Sequence, residues 1–145
     1  MSVRENIASN LVTVIGAISS PSVRKVTRQP FELDELSQAQ YPAVLIQTIE
    51  ETKEDQELGS GAKTRICTLE FGITGFIKGS ESNIDTARNN LASAIETAVE
   101  SDITRSGNAL DTEVVSIETD AGSLFPYGAV LITIRVIYEH QAATP

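Results

Sequence analysis

The run 59–64, Gly-Ser-Gly-Ala-Lys-Thr, contains the residue types of a phosphate-binding loop. That motif needs Gly, four residues, Gly, Lys and then Ser or Thr, because its backbone must closely approach the phosphates. Counting back from Lys63 places Ala62 and Glu57 where the two glycines should stand, and a carboxylate there would repel phosphate. The following residues alternate as a strand, whereas the motif must open a helix. The run therefore predicts a flexible hairpin connection between two strands.

A single cysteine and a single histidine are the other residues that nucleophilic catalysis would use. Cys67 shares its parity with Leu69 and Phe71 in an alternating run, so it is predicted to be a small buried core residue. His140 lies five residues from the end of the chain, and we predict an exposed residue at the end of a strand. A nucleophile needs an adjacent base, and the sequence indicates neither such a pair nor a metal-ligand set. We therefore expect no enzymatic activity, no catalytic or metal-binding residues and no cofactor.

Acidic residues are concentrated around the same hairpin. A solvated loop is the simplest interpretation, because clustered carboxylates on a loop have no fixed spacing for acid–base work. A weak divalent-cation site is the alternative, but the run lacks the Asp-x-Asp-x-Asp-Gly order of a calcium loop. The clustered residues are Glu50, Glu51, Glu54, Asp55 and Glu57.

The segment 23–28, Val-Arg-Lys-Val-Thr-Arg, is the one basic cluster, with Arg24, Lys25 and Arg28. Such a cluster is able to bind DNA phosphates. However, the net charge of −9 predicts repulsion from nucleic acid and from anionic membranes. We therefore interpret the cluster as a contact with another subunit, for which the acidic run 50–57 offers a complement.

The elements that must position these residues follow from hydrophobic periodicity. Three- and four-residue spacing predicts one helix over 3–18 and another capped by Ser82 or Asn83, with Asp85 in its first turn. Alternation and β-rich composition predict five strands, in 23–28, 43–50, 64–79, 112–120 and 129–140.

Several details of these strands follow from composition. Residues 43–50 are apolar on both parities, which predicts a central strand covered on both faces. Gly72 and Gly75 predict a bend or a bulge in the long strand 64–79. The length of 145 residues fits a single domain, 1–145. We predict an α+β fold: a mixed, mainly antiparallel β-sheet with two helices packed on one face and a long extended β-hairpin.

This layout resembles the tail terminator, or tail completion, proteins of tailed bacteriophages, also described as minor tail protein U-like. The resemblance covers nearly the whole chain, and its most characteristic pieces are YPAVLIQ at 41–47 and the segment from Asp102 to Asp111 that contains GNALD. The remaining pieces are RENIASNLVTVIGAI, VRKVTR, RICTLEFGITGFI, NIDTARNNLASAIETAVESD and AVLITIRVIYEH.

The resemblance implies a structural protein without enzymatic activity or a required organic cofactor. It implies a homohexameric ring at the head-proximal end of the tail tube, which stops tube polymerisation and provides the head-attachment surface. The partners would be other copies of the chain, the tail tube protein and a head–tail connector or neck protein. DNA would pass through the lumen without specific binding, and no membrane would be involved.

Three regions are predicted to make the subunit or tube contacts: the hairpin 51–63, the loop 102–111 and the turn 123–127. The tip of the hairpin is predicted to carry Glu51, Lys53, Glu54, Asp55 and Glu57. An equal alternative for the turn is that its apolar side chains fill the core. Two other functions remain open: another ring protein of the head–tail neck, or a small dimeric α+β ligand-binding domain. The predicted contact residues are Arg24, Lys25, Arg28, Glu51, Lys53, Glu54, Asp55, Glu57, Lys63, Leu124, Phe125 and Tyr127.

Overall fold

The computed structural model describes residues 2–32, 35–55, 64–79 and 83–145. Within these ranges the chain forms two α-helices, five β-strands and a 3-10 turn at Gln38–Gln40. In chain order the elements are α1 (Val3–Gly16), β1 (Lys25–Thr27), β2 (Ala43–Asp55), β3 (Thr64–Lys78), α2 (Ile84–Glu100), β4 (Asp111–Thr119) and β5 (Tyr127–Gln141).

The strands form one sheet with the order β1-β2-β3-β5-β4. β1 runs parallel to β2, and the other three neighbouring pairs are antiparallel. The longest ladder joins β3 to β5, from Thr64 opposite Gln141 to Lys78 opposite Tyr127. The predicted α+β fold, with a mixed and mainly antiparallel sheet and a long hairpin formed by β2 and β3, is confirmed.

Both helices pack on the same face of the sheet, with α1 over β1 and β2 and α2 over β3, β4 and β5. The Ser2 hydroxyl caps α1 by accepting the Glu5 backbone N–H at 3.2 Å. The core lies between the helices and one set of alternating strand residues, as the pleat requires. Cys67 belongs to this core and is fully buried, as its parity predicted. No helix among the described residues is both long and apolar enough to cross a membrane.

The two glycines of β3 make room for neighbouring side chains. A Cβ atom on Gly75 would lie 2.7 Å from Leu91 Cδ2, so the missing side chain lets α2 approach the sheet. A Cβ on Gly72 would lie 3.0 Å from Ile49 Cδ1 on the opposite face. The predicted bulge in β3 is absent, because β3 pairs with β5 without a register shift, and the bulge lies instead in β2, between Thr48 and Glu50.

Some boundaries and burial patterns differ from the prediction. α1 ends at Gly16 rather than at residue 18, and β2 extends to Asp55 because its pairing with β3 continues through the charged residues. The prediction that 43–50 is covered on both faces is wrong beyond Ile46. Near Ala43 the second face is covered by Phe31, which packs edge-on against Phe76 at 5.4 Å, but residues 47–50 are exposed.

Candidate functional site

The predicted hairpin residues fall into two groups. Glu51, Lys53, Glu54 and Asp55 lie within β2, where they pair with Leu69, Cys67, Ile66 and Arg65 of β3. Their predicted position at the tip of the hairpin is therefore wrong, because the ladder with β3 continues to Asp55. Glu57 and Lys63, with the whole GSGAK run, lie outside the described residues.

Glu51 is the centre of a cluster of polar side chains between β2, β5 and the start of α1. Arg4 donates two hydrogen bonds to its carboxylate, at 2.5 Å from Nη2 and 3.2 Å from Nε. The hydroxyl of Tyr138 donates a third, and Lys53 Nζ lies 3.5 Å from Oε2. Burial alone would raise the pKa of Glu51, but the hydrogen bonds from Arg4 and Tyr138 outweigh it and lower that pKa. The cluster joins the N-terminal helix to the sheet.

Lys53 continues this cluster towards the end of the chain. Its ammonium group lies 2.8 Å from His140 Nε2 and donates to Cys67 Sγ at 3.6 Å. His140 Nδ1 lies 2.6 Å from the carbonyl oxygen of Gln141. Because a carbonyl only accepts, Nδ1 carries the proton and Nε2 accepts from Lys53. The prediction that His140 is exposed is wrong: it is buried, since β5 continues past it and pairs with the start of β3.

This cluster contains a thiol, an imidazole and an amine, which are groups used in catalysis. Here they contact one another and do not form a nucleophile with an adjacent base. Cys67 is fully buried, and the imidazole nitrogen faces the Lys53 ammonium rather than the thiol. Four surface depressions in the described part of the chain, of about 270 to 430 Å³, are lined by residues outside the cluster. No group of three or more His, Cys, Asp or Glu side chains in the described part of the chain is placed to hold a metal ion.

The sheet face opposite the helices is acidic. Along each strand, the residues that alternate with the buried core residues point to this face. Arg135 is among them and donates to Glu113 at 2.9 Å. Ile49 and Leu131 give the face an exposed apolar stripe beside Gly72. The acidic residues on this face are Glu50, Glu54, Glu70, Asp111, Glu113, Glu118 and Glu139.

The basic cluster lies on and around β1, at one edge of the sheet. Arg24 is exposed and Lys25 is half-buried. Arg28 forms an ion pair with Glu5 of α1, and this contact lowers the pKa of Glu5 through the hydrogen bond. One of the three predicted contact cations is thus already paired within the chain, whereas Arg24 and Lys25 remain at the edge.

The predicted apolar turn lies between β4 and β5. Leu124 and Phe125 are exposed, so the alternative in which they fill the core is wrong. Tyr127 is half-buried, with its ring 5.7 Å from that of Tyr41 and 5.5 Å from the Lys78 ammonium. Tyr127 is therefore packed against its neighbours, whereas Leu124 and Phe125 are exposed to solvent.

Sequence reasoning missed the ion pair that holds this turn. Asp120 accepts backbone N–H groups of Leu124 at 3.0 Å and Ala129 at 3.1 Å, and it also accepts a hydrogen bond from Arg88 of α2. Burial alone would raise the pKa of Asp120, but these hydrogen bonds lower it. A signal was present: Arg88 follows Ile84 by one helical turn and so falls on the apolar face of α2.

The loop 102–111 is held in place by its own side chains and by α1. Asp102 accepts from the Thr104 hydroxyl at 2.7 Å and from the Ser106 backbone at 2.8 Å, and these bonds lower its pKa. Asn10 of α1 donates to the Ser106 hydroxyl at 3.2 Å. Arg105 is fully buried and donates to the carbonyl oxygens of Val99 and Asp102, and its burial lowers its pKa. The loop therefore presents a fixed surface.

The sequence matches no protein-family model, and the search of curated proteins gave no match. Among solved structures, the chain is similar to one described as "Virion of native gene transfer agent (GTA) particle". The match has a TM-score of 0.50 and 14% sequence identity, and it covers 96% of this chain and 92% of the other. At that identity the similarity concerns the fold, which the two chains share over nearly their full lengths.

Proposed function

We propose that this protein is a structural component of a phage-like virion. The observation that carries the proposal is the fold similarity to a chain of a gene transfer agent virion, which extends over 96% of the present chain. The similarity extends over nearly the full length of both chains, so it goes beyond a single shared motif.

Within the virion, we assign the chain to a ring at the head-proximal end of the tail tube. There it would end tube polymerisation, provide the head-attachment surface and contact the tube protein and a neck protein. The uncovered acidic sheet face supports this role, because six glutamates on one face would repel DNA phosphates in a lumen. The role is structural, and we propose that it requires no catalysis and no cofactor.

Removal of the gene from a particle-producing strain tests the assignment. A terminator that is lost leaves tube growth unchecked, so we expect overlong tubes of variable length without heads in electron micrographs. Purified protein added to growing tubes should restore a fixed length. Tails of normal length that fail to join heads would instead indicate another ring of the neck. Normal, infectious particles would contradict a virion role.

Solution mass provides an independent measurement. We expect a hexamer, formed at high protein concentration or on tube ends, because closed rings require head-to-tail contacts between unlike patches. A dimer that never grows larger and does not bind tubes would favour the ligand-binding alternative.

A further inference from the structure

We propose that neighbouring copies of this chain join edge to edge, with β4 of one copy pairing with β1 of the next. This inference rests on the proposed function only in assuming that copies assemble into a ring. β1 and β4 are the two outermost strands of the sheet. Among the described residues no strand pairs with the outer side of either, so both present backbone groups that a further strand would satisfy.

The first argument is the distribution of exposed apolar side chains. The described residues include eight exposed large hydrophobic side chains, and six of these lie on β4 or in the connections on either side of it. This concentration of exposed apolar side chains along one edge favours an interaction surface over an ordinary solvated edge. The six residues are Ile103, Leu110, Val115, Ile117, Leu124 and Phe125.

The second argument is charge. β4 carries Asp111, Glu113 and Glu118 and no lysine or arginine, and of these Glu113 is paired with Arg135 of β5. β1 and its immediate neighbours carry Arg24, Lys25 and Arg28 and no acidic residue, and of these Arg28 is paired with Glu5. Pairing of β4 with β4 would bring acid against acid, and pairing of β1 with β1 would bring base against base. Opposite charges meet only when unlike edges pair, so the charges select the head-to-tail contact that ring closure requires.

The third argument is strand direction. β1 and β2 run the same way, and each later neighbour in the order β3, β5, β4 reverses direction. β4 therefore runs opposite to β1. Copies related by rotation about an axis along the strands would place these two edges antiparallel. A head-to-tail joint then adds one more antiparallel ladder to a mainly antiparallel sheet.

Two complementary variants test the inference. The first, Arg24→Glu with Lys25→Glu, makes both edges acidic; the second, Glu113→Lys with Glu118→Lys, makes both edges basic. Each alone should need at least about tenfold more protein to assemble than the wild type, because like charges meet at every joint. An equal mixture should assemble, since acidic and basic edges then alternate around the ring.

A matched control separates the edge from overall charge. Glu96→Lys with Glu100→Lys reverses the same number of carboxylates on α2 and should assemble like the wild type. Thermal melting of each variant checks that it folds. Glu113→Lys replaces an ion pair with two cations facing each other across the ladder, but both side chains are exposed, so the cost in stability should be small. Native mass spectrometry of the mixture should give rings with equal numbers of the two variants.

The outcomes distinguish this inference from the proposed function. If the wild type assembles and caps tubes but the folded variants also assemble alone, or their mixture does not assemble, edge pairing is wrong while the ring remains. If the wild type never associates, even with tube ends present, both are wrong.

Discussion

At the scale of single residues, Asp120 is the carboxylate on which the end of β4 depends. Its side chain is 5% exposed and that of Arg88 is 7% exposed, so their ion pair is largely removed from water. The same carboxylate also accepts two backbone N–H groups of the turn and of β5. One residue therefore joins α2, the apolar turn and the start of β5.

Replacement of Asp120 by Ala should destabilise the protein by about 3 kcal/mol, because Arg88 loses its one buried carboxylate partner and two backbone N–H groups lose their acceptor. Chemical unfolding measures the change. Asp85→Ala is the matched control: Asp85 also bonds Arg88, at 3.0 Å, but it is 77% exposed. Its removal should cost less than about 1 kcal/mol. Equal losses from the two variants would mean that burial of the Asp120 pair has no energetic effect.

The free energy of unfolding measured at acidic pH gives a second test of the Asp120→Ala variant. The folded-state pKa of Asp120 is lowered, so its contribution is complete above the ordinary Asp pKa of about 3.9. That contribution is lost as the pH falls through the lowered value. The wild type should therefore lose more stability than Asp120→Ala as the pH is lowered below about 4. Parallel curves would show that Asp120 does not titrate differently in the folded protein.

At the scale of elements, the helices and strands were largely predictable because their hydrophobic periods are local. The cluster around Glu51 was not, since its partners Arg4 and Tyr138 lie 47 and 87 residues away. A charged run predicts a loop when those partners are unknown. For this reason the predicted strand ended at residue 50, five residues before β2 ends at Asp55. The bulge at Ile49 was unpredictable for the same reason, because it is defined by register with β3. The contact roles of the site residues stay predictions.

Packing of α2 on β3 depends on Gly75. A Cβ at this position would lie 2.7 Å from Leu91 Cδ2, and Leu91 is itself fully buried and has little room to move. Gly75→Ala should therefore destabilise the protein by about 1 to 2 kcal/mol through overpacking. Gly16→Ala is the control, since its Cβ would meet only Val26 Cγ2 at an ordinary 3.8 Å. A gain or no change at Gly75, measured by denaturant unfolding, would contradict the close packing.

At the scale of the whole molecule, we propose that the sheet edges and the hairpin make different contacts. The two sheet edges carry opposite charges and suit joints within a ring, whereas the β2–β3 hairpin lies between them in the strand order. β2, β3 and β5 together support its base, where Asp55 pairs with Arg65 and Thr64 with Gln141. Because this base lies away from both edges in the strand order, we propose that the hairpin contacts the tube or the neck rather than the adjacent copy.

Shortening the connection between β2 and β3 tests whether the hairpin and the sheet edges make different contacts. Replacing 57–63 by Asn-Gly leaves a two-residue turn between Gln56 and Thr64, which continues the register of Asp55 with Arg65. The variant should melt within a few degrees of the wild type and still form rings, because the sheet edges and the Glu51 cluster are intact. Particle yield should fall by at least about tenfold, because the deletion removes the proposed contact with the tube or the neck. Loss of rings would place the hairpin between subunits instead, and unchanged yield would remove it from every interface.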